Sequence, residues 1–159
     1  MSDYSILFVC MGNICRSPTA HGVLRHRVAE QGLASRVRVE SAGTHGYHIG
    51  RPPDERSQEH AARRGYDLSD LRARQLSMTD FERHDLILVM DRDNLAQVRE
   101  QCPAHHLHKV RRFTEFCLRL EADAVPDPYF GGAGGFEQVL DLVEDGCDGL
   151  LLHVQQQLA

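Results

Sequence analysis

The sequence predicts an α/β fold, a single domain with a central four-stranded parallel sheet, helices on both faces, and a tight loop between the first strand and the first helix. Three observations predict it. Apolar runs of strand length alternate with stretches of helical periodicity, the order expected when a parallel sheet is crossed by helices. The chain has 159 residues, 42% of them hydrophobic and 26% charged, enough for one sizeable core and too few for two ordinary domains, so the domain should span residues 1–159. Residues 9–18, VCMGNICRSP, carry the chain from an apolar run into a glycine-containing turn and a serine–proline pair typical of a helix start.

In chain order, residues 6–9 form a continuous apolar run ending at Cys10 and read as a buried strand; from Pro18 onward, Ala20, Val23, Leu24 and Val28 recur at helical spacing. A β-rich segment at 37–41 follows a break at Gly32. Pro52 and Pro53 then open a helix running to about Arg64 and stopped by Gly65. Residues 86–90 read as a fully buried strand, 92–101 as a helix ended by Pro103, the neighbourhood of Val110 as a weak strand, and 136–158 as a long helix. The glycine-rich stretch FGGAGGF at 130–136 reads as a flexible surface loop.

Composition narrows the function classes. The net charge is -5 and the basic residues are scattered, so no surface suited to nucleic acid or anionic lipid is expected, and any anion site must be local. The first ten residues, MSDYSILFVC, carry an acidic residue and no basic one before a short apolar run, which fits neither a signal peptide nor a membrane span and leads to the expectation of a cytoplasmic protein. Five irregularly spaced cysteines, at 10, 15, 102, 117 and 147, are expected to be reduced thiols.

The loop after the first strand is where chemistry is expected. Between a strand end and a helix start, backbone amides lack intrahelical acceptors and the helix dipole is positive, which makes an anion site. Ser17 is a favoured N-cap, and Pro18 suits the first helical position. Several amides plus the guanidinium of Arg16 would match the three equatorial oxygens of a phosphoryl group. The same positive field favours thiolate over thiol at Cys10, making it a nucleophile aimed at bound phosphate. Gly12 permits close backbone approach, and Asn13 tolerates the left-handed conformation that a tight curl requires. Cys15 sits five positions from Cys10 on the same curl, where the two thiols could approach within disulfide range, so a reversible Cys10–Cys15 bridge guarding against overoxidation is expected.

Residues 10–18, C-M-G-N-I-C-R-S-P, resemble the signature of the low-molecular-weight protein tyrosine phosphatases, whose loop reads C-x-G-N-x-C-R-S-P. The resemblance continues through S-A-G-T (41–44), I-G-R-P-P-D (49–54), A-R-Q (73–75), V-M-D (89–91) and P-D-P-Y (126–129), and so covers nearly the whole chain. It implies a phosphate-binding loop made of Met11, Gly12, Asn13, Ile14, Cys15, Arg16 and Ser17, with Cys10 as nucleophile and Asp127 of the D-P-Y run as general acid. Local sequence alone cannot single out that aspartate, although Pro126 and Pro128 would hold it in place. The resemblance further implies Tyr47 and Tyr129 as walls of a slot for a phenyl ring, Met11 at its rim, and Ser41 with Asn13 in the hydrogen-bond set that shapes the loop. Ile14 stands where relatives acting on phosphoarginine tend to carry threonine, which favours tyrosine phosphate. Leu71 departs from the pattern, since many relatives have a histidine there to support the loop. The implied substrate is a phosphotyrosine-containing protein, with a bacterial tyrosine kinase as a candidate partner. No cofactor or metal is implied, nor any nucleic-acid or membrane partner.

Other readings can be weighed against this one. His105, His106 and His108 near Cys102 lack the spacing of a zinc site. A thiol-coupled arsenate reductase would share the opening loop but needs a further close cysteine pair, whereas the other cysteines stand at least fifteen residues apart. A non-catalytic phosphate-binding module would not need Cys10, Arg16 and Asp127 together.

Overall fold

In the computed structural model, which describes residues 3–129 and 131–159, four strands pair in the order β2-β1-β3-β4. They are β1 (Tyr4–Cys10), β2 (Val37–Gly43), β3 (Leu86–Val89) and β4 (Val110–Arg112), and every pairing is parallel. Parallel neighbours need crossovers, and helices supply them: α1 (Arg16–Glu30) joins β1 to β2, and α4 (Arg92–Gln101) lies between β3 and β4. The remaining helices are α2 (Glu55–Arg63), α3 (Met78–Arg83) and α5 (Ala133–Leu158).

The period-two alternation of β1 distributes its side chains between two cores. Ile6, Phe8 and Cys10 face a cluster with Ala20, Val23 and Leu24 of α1 and Val143, Cys147 and Leu150 of α5. Leu7 and Val9 face the opposite cluster with Phe81 of α3 and Val98 of α4. With both faces covered, β1 has no polar side, which is why it reads as an unbroken apolar run; each large side chain so buried stabilises the fold by about 1.5–3 kcal/mol. Cys10 therefore ends on the α1 face, directly before the loop that starts that helix.

Strand order places the site. β2 lies on one side of β1 and β3 on the other, so the connections leaving β1 and β3 diverge and open a crevice at their carboxyl ends, the position where ligands bind in such sheets. The end of β1 with the loop after it, at 10–12 and 14–16, and Asp91 after β3 line the crevice.

Several boundaries differ from the sequence expectation, each for a local reason. Helix α1 begins at Arg16 with Cys15 in the capping position, so Ser17 is not the cap; its hydroxyl turns inward to the loop instead. Helix α2 begins at Glu55, because Asp54 accepts a hydrogen bond from the Arg56 amide and is the cap, and residues before a proline are pushed toward extended backbone. Helix α3 falls in a stretch with no assigned element. Its signal is the Ser77–Asp80 capping box, in which aspartate replaces the usual glutamate or glutamine. Helix α5 starts at Ala133 rather than 136, so it absorbs the second half of the glycine-rich stretch; Phe136 is buried and stacks on His60 at 5.4 Å, pinning that first turn. Phe130, the first residue of the stretch, lies outside the described residues. Among the described residues no helix is long and apolar enough to cross a membrane.

Candidate active site

The loop from Cys10 to Arg16 is held from outside by its carbonyls. Thr44 N–H donates to the Cys10 carbonyl at 2.9 Å, His45 N–H to Met11 at 3.0 Å, Asp54 N–H to Ile14 at 2.8 Å, and Thr19 Oγ1 to Cys15 at 2.6 Å. With carbonyls turned outward, the N–H groups can converge inward; among the described residues, those of Met11, Gly12, Asn13, Ile14 and Cys15 donate to no protein acceptor. Unpaired donors gathered at a helix start invite an anion.

Two residues make this curl possible. Asn13 has a φ of 58°, the left-handed region in which asparagine is among the few tolerated residues. Gly43, at the end of β2, lies so close that a Cβ there would come within 2.7 Å of the Met11 carbonyl oxygen. Gly12 is less constrained by backbone, since a Cβ there would meet the His48 ring at 3.0 Å.

Cys10 is buried, and its Sγ lies 3.0 Å from Ser17 Oγ. The direction of that contact follows from the bonds behind it. Arg74 N–H donates to Asn13 Oδ1 at 2.9 Å, which fixes the amide so that Nδ2 donates to Ser17 Oγ at 2.8 Å. The serine hydroxyl thus accepts from Asn13 and has its own proton for the sulfur at 3.0 Å, a closer partner than the Ala42 carbonyl at 3.4 Å. A donor aimed at sulfur stabilises the thiolate. Arg74 is anchored in turn by two 2.9 Å bonds to the buried carboxylate of Asp80, whose pKa ends well below the usual range because, against burial, His84, Arg74 and the Ser77 amide favour the charged form.

Arg16 is 3% exposed. Its Nη1 donates to Asp91 Oδ2 at 2.6 Å and to the Val125 carbonyl at 3.0 Å, and its Nη2 lies 3.9 Å from Asp127 Oδ2. Burial works against the charge, yet Cys10, Asp91 and Asp127 together hold the guanidinium pKa above its ordinary value. One edge of the fork is thereby fixed, and the other remains available to a ligand.

Asp127 is carried on a segment tied down by Val125, whose N–H donates to the Met90 carbonyl at 2.7 Å. Its Oδ1 accepts from the Tyr129 N–H at 3.1 Å. Arg56 clamps the same segment from α2: it donates to the Tyr129 carbonyl at 3.0 Å, grips Asp54, and lies 5.5 Å from the Tyr129 ring centre and 4.8 Å from that of Phe136. Such stacking of a guanidinium on two rings adds to the ion pair.

A cavity of about 140 Å³ joins these groups, with Cys10, Arg16 and Asp127 at its polar end and Met11, Ile14, His48 and Tyr129 around it. Tyr47 is not among its walls. That ring is 74% exposed and stacks on His45 at 5.1 Å, which points it away from the cavity and leaves His48 in the place expected of it. Ser41 does not reach the loop either; its hydroxyl pairs with His21 Nδ1 on α1 at 2.9 Å. Leu71 is packed in the core, so no histidine reaches from that segment. Burial, with repulsion from Arg25 and Arg74, pushes the His21 pKa down to about 4, so that ring is neutral near pH 7. Cys15 is buried beneath the loop, and burial pushes its thiol up to about 12, so it remains a thiol at neutral pH. Both Cys10 and Cys15 are free.

A buried sulfur at a strand end, ringed by N–H donors without a protein acceptor among the described residues and by an anchored guanidinium, has the form of an oxyanion-binding centre, as a phosphatase requires. Comparison with known proteins gives the particular family. The profile of the family described as low molecular weight phosphotyrosine protein phosphatase matches residues 5–159. A low molecular weight protein-tyrosine-phosphatase of Streptomyces coelicolor is 41% identical over 159 residues, covering 98% of this chain and 96% of its own. The Bacillus subtilis phosphatase YfkJ is 38% identical over 153 residues, with 96% and 97% covered, and its crystal structure matches with a TM-score of 0.92 over 99% and 98% of the two chains. A crystal structure of protein tyrosine phosphatase from Entamoeba histolytica with Hepes in the active site matches with a TM-score of 0.94 at 36% identity, covering 98% and 99%. The chain belongs to the low molecular weight protein-tyrosine-phosphatase family.

Proposed function

We propose that the protein hydrolyses phosphotyrosine through a phosphocysteine intermediate on Cys10, with Asp127 as general acid and then general base. The observation that carries this reading is the set of N–H groups around Cys10 that lack a protein acceptor among the described residues, with Arg16 fixed beside them. Such a cradle stabilises the charge on the three equatorial oxygens of a transferring phosphoryl group.

In the first step the Cys10 thiolate attacks phosphorus and the bond to the tyrosine oxygen breaks. The leaving phenolate has a conjugate acid of pKa about 10, so a proton delivered by the Asp127 carboxyl lowers the barrier. In the second step the Asp127 carboxylate takes a proton from water as that water attacks the phosphocysteine, releasing phosphate and the Cys10 thiolate. Ser17 donates to sulfur in both steps, making it a better leaving group in the second. Tyr129, Met11 and Ile14 offer apolar surface to a phenyl ring.

Asp127→Ala tests the acid. Its kcat on aryl phosphates should fall by roughly 10²–10⁴ in EDTA, and the loss should shrink as the phenol becomes more acidic, because a good leaving group needs no proton. A loss independent of phenol acidity would remove Asp127 from that role. Arsenate reduction finds less support, since the remaining cysteines, Cys102, Cys117 and Cys147, are all held as thiols by burial.

We propose in addition that Cys15 protects Cys10. Peroxide would oxidise the Cys10 thiolate to the sulfenic acid, and the Cys15 sulfur would then displace water to form the disulfide. Because its thiol pKa is pushed up to about 12, closure should accelerate as pH rises through the alkaline range. Recovery of peroxide-treated enzyme by dithiothreitol, with a 10–15 crosslink in the peptide map, is the expected result; unrecovered activity in the wild type would refute it.

A further inference from the structure

Met11, Arg16 and Asp127 form a partition shared by the catalytic cavity and a second, more open cleft of about 510 Å³. The far side of this cleft is the start of α4, where Asp91, Asp93, Asn94 and Gln97 line it. A polypeptide whose phosphotyrosine fills the cavity has this cleft immediately across the partition, within reach of a neighbouring side chain.

The cleft is acidic. Three carboxylates, those of Asp91, Asp93 and Asp127, face one guanidinium, that of Arg16. Asp91 is already engaged, with Oδ2 taken by Arg16 and Oδ1 accepting from the Asn94 N–H at 2.7 Å, and Asp127 lies 3.9 Å from Arg16. Asp93, by contrast, is exposed and has no ion-pair partner among the described residues. Arg92 beside it is turned to Asp123 at 3.7 Å. The start of α4 is the positive end of a helix dipole, but Asp91 caps it and Asp93 sits in its first turn, so the net field at the cleft does not favour an anion.

A second, independent observation also calls for a donor. Asn94 is 2% exposed, and its Oδ1 is buried without a hydrogen-bond partner among the described residues. Buried acceptors are almost always paired, and because Asn94 lines the cleft, a ligand N–H there could supply the partner once the amide turns toward it. A lysine or arginine side chain brings both the charge that Asp93 lacks and the donors that Asn94 lacks.

We propose that this cleft is a subsite for a lysine or arginine next to the phosphotyrosine of the protein substrate. The subsite rests on the phosphatase reading above, and it makes the enzyme selective among phosphotyrosine sites by their basic neighbours.

The test uses phosphotyrosyl peptides of one sequence carrying Lys, Gln or Glu within two residues on either side, with para-nitrophenyl phosphate as a substrate that has no flank. For the best position, kcat/KM for Lys should exceed that for Glu roughly fivefold, and at least twofold, with the ratio shrinking in high salt. Asp93→Asn should bring the ratio below twofold, and Asp93→Lys should invert it, while turnover of para-nitrophenyl phosphate stays within twofold of wild type. A wild-type ratio below twofold at every position, or one that survives Asp93→Asn, overturns the subsite. Absence of para-nitrophenyl phosphate turnover in the wild type would instead overturn the phosphatase reading, so the two failures are distinguishable.

Discussion

Cys10→Ser should lose roughly 10⁴–10⁶ in kcat on every phosphate ester while still binding phosphate or vanadate within about tenfold of wild type. The change alters one atom in a buried position without disturbing the bonds that shape the loop: the carbonyls of Cys10, Met11 and Ile14 remain tied to Thr44, His45 and Asp54, and Asn13 remains tied to Arg74. What disappears is the nucleophile. A serine hydroxyl needs a base to take its proton, and the nearest polar side chain, the Ser17 hydroxyl at 3.0 Å from the sulfur, is committed as a donor by Asn13 behind it. The cradle would keep its affinity for an oxyanion, because N–H groups and Arg16 provide it. Isothermal titration with vanadate alongside turnover of para-nitrophenyl phosphate separates the two effects. Residual turnover above about 1% of wild type would show that another group performs the attack.

The part of this site that could be read in the sequence is the part that is local. A strand end, a thiol, a tight curl and a helix start fall within residues 9–18, and the physical demands of each bear on adjacent positions. Alternating apolar runs and helical periods were likewise enough for a parallel sheet with two covered faces, because β1 and β3 bury residues on both sides. Groups that act across the fold carry no such mark. The Val125 carbonyl that holds Arg16 is a backbone atom 109 positions away, invisible to any reading of side chains. Asp91 looks like an ordinary helix cap, which it also is; its second oxygen reaches Arg16 only because β3 pairs beside β1.

Tyr47 illustrates the converse error. The family resemblance implies a wall for an aromatic ring at this position, but in a loop one residue of rotation exchanges inside for outside, and here His45 captures the tyrosine ring while His48 turns to the cavity. Gly43 stands inside the S-A-G-T run, yet nothing in the sequence shows why it must be glycine. Its φ is not unusual, and its smallness is required by the Met11 carbonyl passing 2.7 Å from where a Cβ would stand, a contact set by the β1–β2 register. Asp127 lies between: its proline neighbours make it a fixed carboxylate, yet only the folded chain brings it to the mouth of a cavity that begins at residue 10.

Arg16→Lys should lower kcat by roughly 10³ with a smaller rise in KM, despite conserving the charge. The guanidinium performs two tasks at once. Its Nη1 holds Asp91 at 2.6 Å and the Val125 carbonyl at 3.0 Å, and the rest of the same rigid plane is left to the phosphoryl oxygens. A lysine ammonium is one point of charge on a flexible stem: if it stays with Asp91 it abandons the transition state, and if it turns to phosphate it leaves a carboxylate and a carbonyl without their donor in a largely buried place. Because equatorial oxygens take up their trigonal arrangement only as phosphorus is transferred, a planar fork matches them best at that moment, and its loss should fall on kcat more than on binding. The structural share of the loss can be separated by thermal melting. Asp91→Asn keeps the cap on α4 and a weakened acceptor for Arg16, so it should retain most of the wild-type melting temperature and lose roughly tenfold in kcat. Should Arg16→Lys retain more than a tenth of wild-type kcat, the bidentate fork would not be the feature that stabilises the transition state, and the free N–H groups of residues 11–15 would have to supply that stabilisation alone.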